Sequence, residues 1–300
     1  MRIGIMIGEV RGPATADTLR QQATGADSLW TAQALGWDAL TALTVAAPHA
    51  PRATLGTAVV PVRQRHPLTL AGQALSVQAA TGNRLTLGVG SGIGVMVGGM
   101  FGLPVDRPVA FMREYLAALL PLLHGEPVAA GGEFLTVRGT VAVPGTIPPP
   151  VLLAALGPAM LRLAGTAADG AITWLTGART LESHVVPTVL AAAAGRPTPR
   201  MVAGLPVCVT TDVADARSRL ADRFGMAAQV PEYRRVLDHE GATGPQDVAL
   251  IGDEETVARQ INRLEETGIT EFVAAPSGTE TEQHHTTAFL HHLSKQNQAS

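Results

Sequence analysis

The chain has 300 residues and a formal net charge of −3, from 22 lysines plus arginines against 25 aspartates plus glutamates. That balance lacks the basic footprint of a nucleic-acid-binding protein. Lys295 is the single lysine and Cys208 the single cysteine, which excludes a disulfide framework, a cysteine-built metal cluster, and Schiff-base or Walker-type lysine chemistry.

In chain order, short β-rich runs alternate with helical patterns. Residues 3–8 (IGIMIG) read as a strand, and as an apolar stretch they are too short for a signal peptide. A helical pattern follows over 15–25, then a strand over 28–31 and a helix over 35–47 ended by Pro48. The third strand, 54–61, is almost wholly apolar, as a parallel strand covered on both faces requires. Pro67 and Gly82 punctuate the two ends of a helix over 67–81. Residues 85–90 (LTLGVG) form a fourth strand. The strand starts are about 25–31 residues apart, the length of one βα unit.

The rhythm resumes with strands over 151–155, 171–175, 202–210 and 271–275. Helices are expected over 158–168, 181–194, 212–224, 253–267 and 282–295. Eight such units predict an α/β fold, a (β/α)8 TIM barrel in one domain over 1–300. Three stretches interrupt it as insertions: 91–108, rich in Gly and Met; 126–146, which reads as a hairpin; and 227–250, with a charged helical piece over 231–240. Barrel chemistry sits on the loops after the strands, so the first and third are candidate lids. No apolar run approaches the roughly 18–20 residues of a membrane span, and a cytoplasmic setting is expected.

Several motifs fail. The run GVGSGIG at 88–94 fits neither G-x-G-x-x-G nor G-x-S-x-G, since Val89 and Ile93 stand where the second needs glycine. Its glycines still let a backbone approach a flat ligand at the mouth of strand four. His284, His285, His291 and His292 would spread over about 9–12 Å of helix, too far to share an ion, and no metal is expected. Two features survive. AALGPAM at 154–160 starts a helix with no Ser, Asp or Asn to cap it, leaving amides open to water or to a ligand phosphate. Arg63 and Arg65 precede the third helix on the unfavourable side of its dipole, which suits either a solvated basic loop or a bound polyanion.

The runs GTAVVPVRQRHP at 56–67, LTLGVGSG at 85–92, RPVAFMREYLAALLPLLHGEPV at 107–128, AALGPAMLRLAGTAADG at 154–170 and GDEETVARQINRLEETGITEFV at 252–273 together resemble the bacterial luciferase-like superfamily. Within it, they are most similar to the oxidoreductases dependent on the deazaflavin coenzyme F420. The resemblance implies a (β/α)8 barrel holding a flavin or deazaflavin at the carboxyl ends of its strands. It also implies a non-prolyl cis peptide between Ala58 and Val59, flanked by Thr57 and Pro61. Gly90, Ser91 and Gly92 would lie along the cofactor, and Ala155, Leu156 and Gly157 would bind its phosphate. Gln33 stands where relatives often carry an Asp that contacts the ring, and Arg63 and Arg65 would meet the acidic glutamyl tail. Trp37 and Trp174 are candidate substrate walls, with ordinary helix–barrel packing as the alternative.

The departures are informative. Where the sugar-phosphate dehydrogenases of the family place a His base and an assisting Glu, this chain has Ala34 and Ile93. It also lacks a lysine for a substrate phosphate. Glu9, His66 and Ser91 are the reachable candidate proton donors, with a bound water as a fourth, and His66 serves equally well as a helix cap. The expected activity is hydride transfer between F420 and a small organic substrate. An FMN-dependent monooxygenase and a flavin- or deazaflavin-binding protein without turnover are the alternatives. The family often dimerises, so the resemblance allows a homodimer, although no segment shows a decisive apolar patch; no nucleic-acid or membrane partner is expected.

Overall fold

The structure, a computed structural model, describes residues 1–7 and 15–299. Its strands are β1 (Arg2–Met6), β2 (Ser28–Thr31), β3 (Thr54–Thr57), β4 (Leu85–Gly90), β5 (Val151–Ala154), β6 (Gly170–Trp174), β7 (Arg200–Val209) and β8 (Glu271–Pro276). Each pairs in parallel with the next and β8 returns to β1, which closes the barrel. The outer helices are α1 (Thr15–Ala23), α2 (Ala39–Ala46), α3 (Pro67–Thr81), α4 (Pro108–Leu123), α5 (Pro158–Ala167), α6 (Val186–Ala192), α7 (Val213–Phe224), α8 (Pro231–Glu240), α9 (Glu254–Glu265) and α10 (Glu280–Ala299). No described helix is long and apolar enough to cross a membrane.

Side chains alternate along each strand, so one set faces the helices and the other fills the barrel. Leu29, Leu55, Leu85, Leu87 and Phe272 belong to the main core with Leu116 and Leu119 of α4. A separate cluster of Trp30, Leu152, Ile172, Val202 and Val273 fills the interior. Glycines make room for its one large ring: a Cβ at Gly4 would lie 2.8 Å from the Trp30 indole, and one at Gly56 would overlap it.

Below Trp30 the interior turns polar. Its indole N–H donates to Ser28 Oγ and Glu271 Oε1, both at 2.9 Å, and Ser28 donates to Glu271 Oε1 at 2.5 Å. Arg200 donates to Thr86 Oγ1 and to Glu271 Oε2, again at 2.9 Å, and Thr54 donates to Ser28 at 3.1 Å. Glu271 is 2% exposed, and its charge is tolerable there because Arg200 and several donors surround it.

The expected elements appear with instructive differences. The third strand is not continuous over 54–61: β3 stops at Thr57, and Val60–Pro61 resumes the pairing with β4 after the interruption. The second helix starts at Ala39 rather than 35, because Asp38 caps it through Thr41 N–H at 2.9 Å. The helix expected over 181–194 includes a π segment, Leu181–Val185, before α6. A short strand missed in the sequence, Leu250–Gly252, pairs with the far end of β7, which runs past the barrel rim. The insertion at 126–146 does contain an antiparallel hairpin, Val128–Gly131 with Thr136–Gly139, and the helical piece in 227–250 is α8.

Candidate active site

The carboxyl ends of the strands form one face of the barrel. Its floor is small and apolar, with Met6, Ala58, Val59 and Ala154 packed on the Trp30 cluster. The Ala58–Val59 peptide bond is cis, at the break between β3 and Val60–Pro61. Thr57 bridges that break: its hydroxyl donates to Gly88 O at 2.8 Å and accepts from Gly88 N at 2.9 Å, satisfying β4 backbone groups that would otherwise lack a strand partner. Thr57 is therefore fully committed to the barrel wall. Pro61 is buried and pairs with Gly90. At Gly90 a Cβ would come within 3.0 Å of both Ala154 and Val59, so the floor is flat here because the residue is glycine.

The turn after β5 has the open form that the sequence suggested. Gly157 occupies the N-cap position of α5 and no side chain caps the helix. Nothing lies within 4 Å of where a Gly157 Cβ would be. The first-turn amides of Ala159 and Met160 thus have no side-chain acceptor, the arrangement that receives an anion at a helix N-terminus. Of the three residues named for a phosphate, Ala155 uses its N–H on Ile172 O at 3.2 Å, so Leu156 and Gly157 remain. A residue with no motif of its own lies beside this turn. His184, in the π segment, lies close enough to the Leu156 backbone for that contact to favour its charged form, and its ring lies 5.6 Å from that of His239. Burial first, and then the His239 charge, lower the His184 pKa from its ordinary value, while the Leu156 contact opposes them.

The proposed proton donors fare differently. Glu9 lies outside the described residues. His66 is the N-cap of α3, with Nδ1 accepting from Leu68 N–H at 3.3 Å and Nε2 facing Thr136 O at 3.1 Å. Both ring nitrogens are engaged in these two contacts, which fits the helix-cap alternative. Ser91 is half-buried and makes only a long 3.4 Å contact to Gly92 O, so its hydroxyl is uncommitted. Gly92 needs its positive φ of 79° at this turn, and a Cβ there would press on Val97.

The two arginines are also not free. Arg65 pairs with Asp38 and donates to Gln33 Oε1 at 3.1 Å and Gln73 Oε1 at 3.0 Å. Burial raises the Asp38 pKa, but hydrogen bonds from Thr41 and Arg65 outweigh it and hold the carboxyl below its ordinary value. Arg63 donates to Asp106 O at 2.6 Å and lies 4.2 Å over the Phe111 ring. Both arginines tie the strand-three loop to its neighbours. Gln33 belongs to the same network, its Oε1 accepting from Ala39 N at 2.8 Å. Trp174 is half-buried at the end of β6, edge-on to Phe224 at 5.9 Å, whereas Trp37 is exposed on the loop after β2.

A separate cleft beside the rim is lined by Thr210, Asp253, Glu254, Glu282 and His285. Its charges are spent locally, with His285 2.9 Å from Glu254 and Glu282 paired to Arg219 at 2.7 Å. Among the described residues no group of three or more His, Cys, Asp or Glu is placed to hold a metal ion.

A family model described as Luciferase-like monooxygenase matches residues 15–271. The chain belongs to this family. An F420-dependent glucose-6-phosphate dehydrogenase from Beutenbergia cavernae is 33% identical over 235 residues, 75% of this chain and 68% of that protein. Two solved structures show the same fold. An F420-dependent secondary alcohol dehydrogenase in complex with an F420–acetone adduct superposes with a TM-score of 0.78 at 20% identity, covering 94% of this chain and 95% of its own. The oxygenating constituent of 3,6-diketocamphane monooxygenase from Pseudomonas putida, in complex with FMN, gives 0.73 at 17% identity, covering 98% and 97%.

Proposed function

We propose that the chain is an oxidoreductase that transfers a hydride between coenzyme F420 and a small organic substrate. One observation carries the reading: an uncapped α5 amino terminus stands beside a flat apolar floor, so an anionic tail and a planar ring are accommodated together. The F420-dependent enzymes among its relatives and structural neighbours support the deazaflavin over other ring systems.

When bound, the deazaflavin supplies a carbon that carries the hydride. The rest falls to the chain. Leu156 and Gly157 would hold the phosphate through backbone amides, with His184 fixing the Leu156 peptide. Met6, Ala58, Val59, Gly90 and Ala154 would support the ring and keep water from its lower face. Ser91, on the turn after β4, would hold or relay the proton that accompanies reduction of a carbonyl or alkene. The sugar-phosphate reaction of the Beutenbergia enzyme fits poorly, because Ala34 and Ile93 offer no base and Lys295 lies on the terminal helix.

A second reading, an FMN-dependent monooxygenase, has the family description and the FMN-bound neighbour in its favour. The test is turnover. Reduced F420 offered with a panel of enones and imines should be oxidised in a protein-dependent manner. Oxygen consumption with reduced FMN, and none of the F420 reaction, would overturn the proposal.

A further inference from the structure

Resting on the reading above, the inference concerns which substrates the upper face accepts. Eleven large hydrophobic side chains are exposed among the described residues, and seven of them fall in two short segments, 35–37 and 93–105. Leu35 is 62% exposed, Val95 69% and Met100 59%, with Trp37 and Phe101 beside them in sequence. Scattered exposed apolar residues are ordinary, but a concentration of this kind marks a binding surface.

The two segments are the loops after β2 and β4, so they flank the break at the end of β3. A backbone hydrogen bond holds the first there and a side-chain contact the second. Gln33 N–H donates to Val59 O at 3.2 Å, ahead of Leu35 and Trp37. On the other side Val97, 1% exposed, packs under Gly92, whose position lies against Pro61. Val97 anchors the π segment Val95–Met100 (VMVGGM), which leaves Val95 and Met100 outside.

Charge decides what fits between them. Arg65 is paired with Asp38 and Arg107 with Glu133, while Arg63 keeps its charge but is held by Asp106 O and Phe111 and feels the Asp106 carboxylate. His66 has both ring nitrogens engaged. A phosphate or carboxylate brought against these loops would thus lose water and find the guanidinium groups of Arg63, Arg65 and Arg107 already engaged, a costly burial. An apolar molecule would instead cover side chains that now face solvent.

We propose that the loops at 35–37 and 93–105 select an uncharged, predominantly apolar substrate, of the kind represented by medium-chain ketones. The test uses the full chain with 2-alkanones from butanone to decanone as probes. Their affinity is read by ligand-observed NMR, both on the chain alone and with F420 added. Affinity should rise about two- to four-fold per methylene, the range from partial to full burial of a CH2. Carboxylates of matched length should bind at least ten-fold more weakly. Val95→Glu should lower ketone affinity at least five-fold while F420 affinity, read from cofactor fluorescence, stays within two-fold.

Equal or tighter binding of the carboxylates, or no dependence on chain length, would overturn the inference. So would a Val95→Glu chain that binds ketones normally but changes its sedimentation from dimer to monomer, since the patch would then be an interface between copies. If ketones follow the predicted series but F420 does not bind, the cofactor assignment fails and the substrate class stands.

Discussion

The two ends of this barrel solve opposite problems with the same eight strands. At the lower end Ser28, Thr54, Thr86, Arg200 and Glu271 bond to one another around the Trp30 indole. At the upper end the α5 amides have no side-chain cap, the Ser91 hydroxyl is nearly unengaged, and large apolar side chains face water. Saturated polar contacts fix a structure, while unsatisfied ones are available to a ligand. The contrast therefore separates residues that hold the barrel together from residues available for chemistry.

Substitutions at each end should separate stability from binding. Glu271→Ala removes the acceptor for Trp30, Ser28 and Arg200 together. Urea denaturation should show a loss of about 2–3 kcal/mol, below the 3–5 of a fully buried pair because Arg200 keeps some access to water. F420 affinity at low temperature should hold. Gly157→Asp should do the reverse. A carboxylate at the open N-cap would occupy the free amides and repel a phosphate, so F420 affinity should fall at least ten-fold, about 1.4 kcal/mol. Its melting temperature should stay level or rise slightly, as an aspartate cap is a few tenths of a kcal/mol better than glycine.

Asp38 belongs to the holding set although it stands near the mouth. Asp38→Ala should cost about 1 kcal/mol, from the lost α2 cap and the Arg65 pair. Its pKa is lowered in the folded chain, so its stabilisation is complete above the ordinary carboxylate value of about 4 and is lost as pH falls through the lower folded value. The stability gap between wild type and Asp38→Asn should accordingly narrow in urea titrations below about pH 4. The smallest effect is expected at His66. His66→Ala should cost about 0.5–1 kcal/mol as a lost cap and leave kcat within two-fold. A hundred-fold fall in kcat would instead make it an acid catalyst.

Much of the holding part was legible in the sequence. Strands 28–31 and 85–90 and the helix over 67–81 fall where apolar runs, Pro67 and Gly82 place them. The open α5 terminus was legible too, because a missing cap is a local property of residues 154–160. What escaped depends on partners far away in the chain. Arg63 and Arg65 looked free beside a helix start, yet Asp38, Gln73, Asp106 and Phe111 claim them. His184 carries no local signal, since its partners Leu156 and His239 come from another turn and another helix. The strand Leu250–Gly252 was hidden because only the overlong β7 gives it a partner.

The central claim is that the upper face holds a deazaflavin by its phosphate and ring. Parallel titrations of the purified chain with F420 and with FMN, followed by each cofactor's fluorescence and absorption, test it directly. The account predicts saturable perturbation by F420 that is weakened at least ten-fold in Gly157→Asp, with FMN binding much more weakly. An unperturbed F420 spectrum, or tighter binding of FMN, would contradict it.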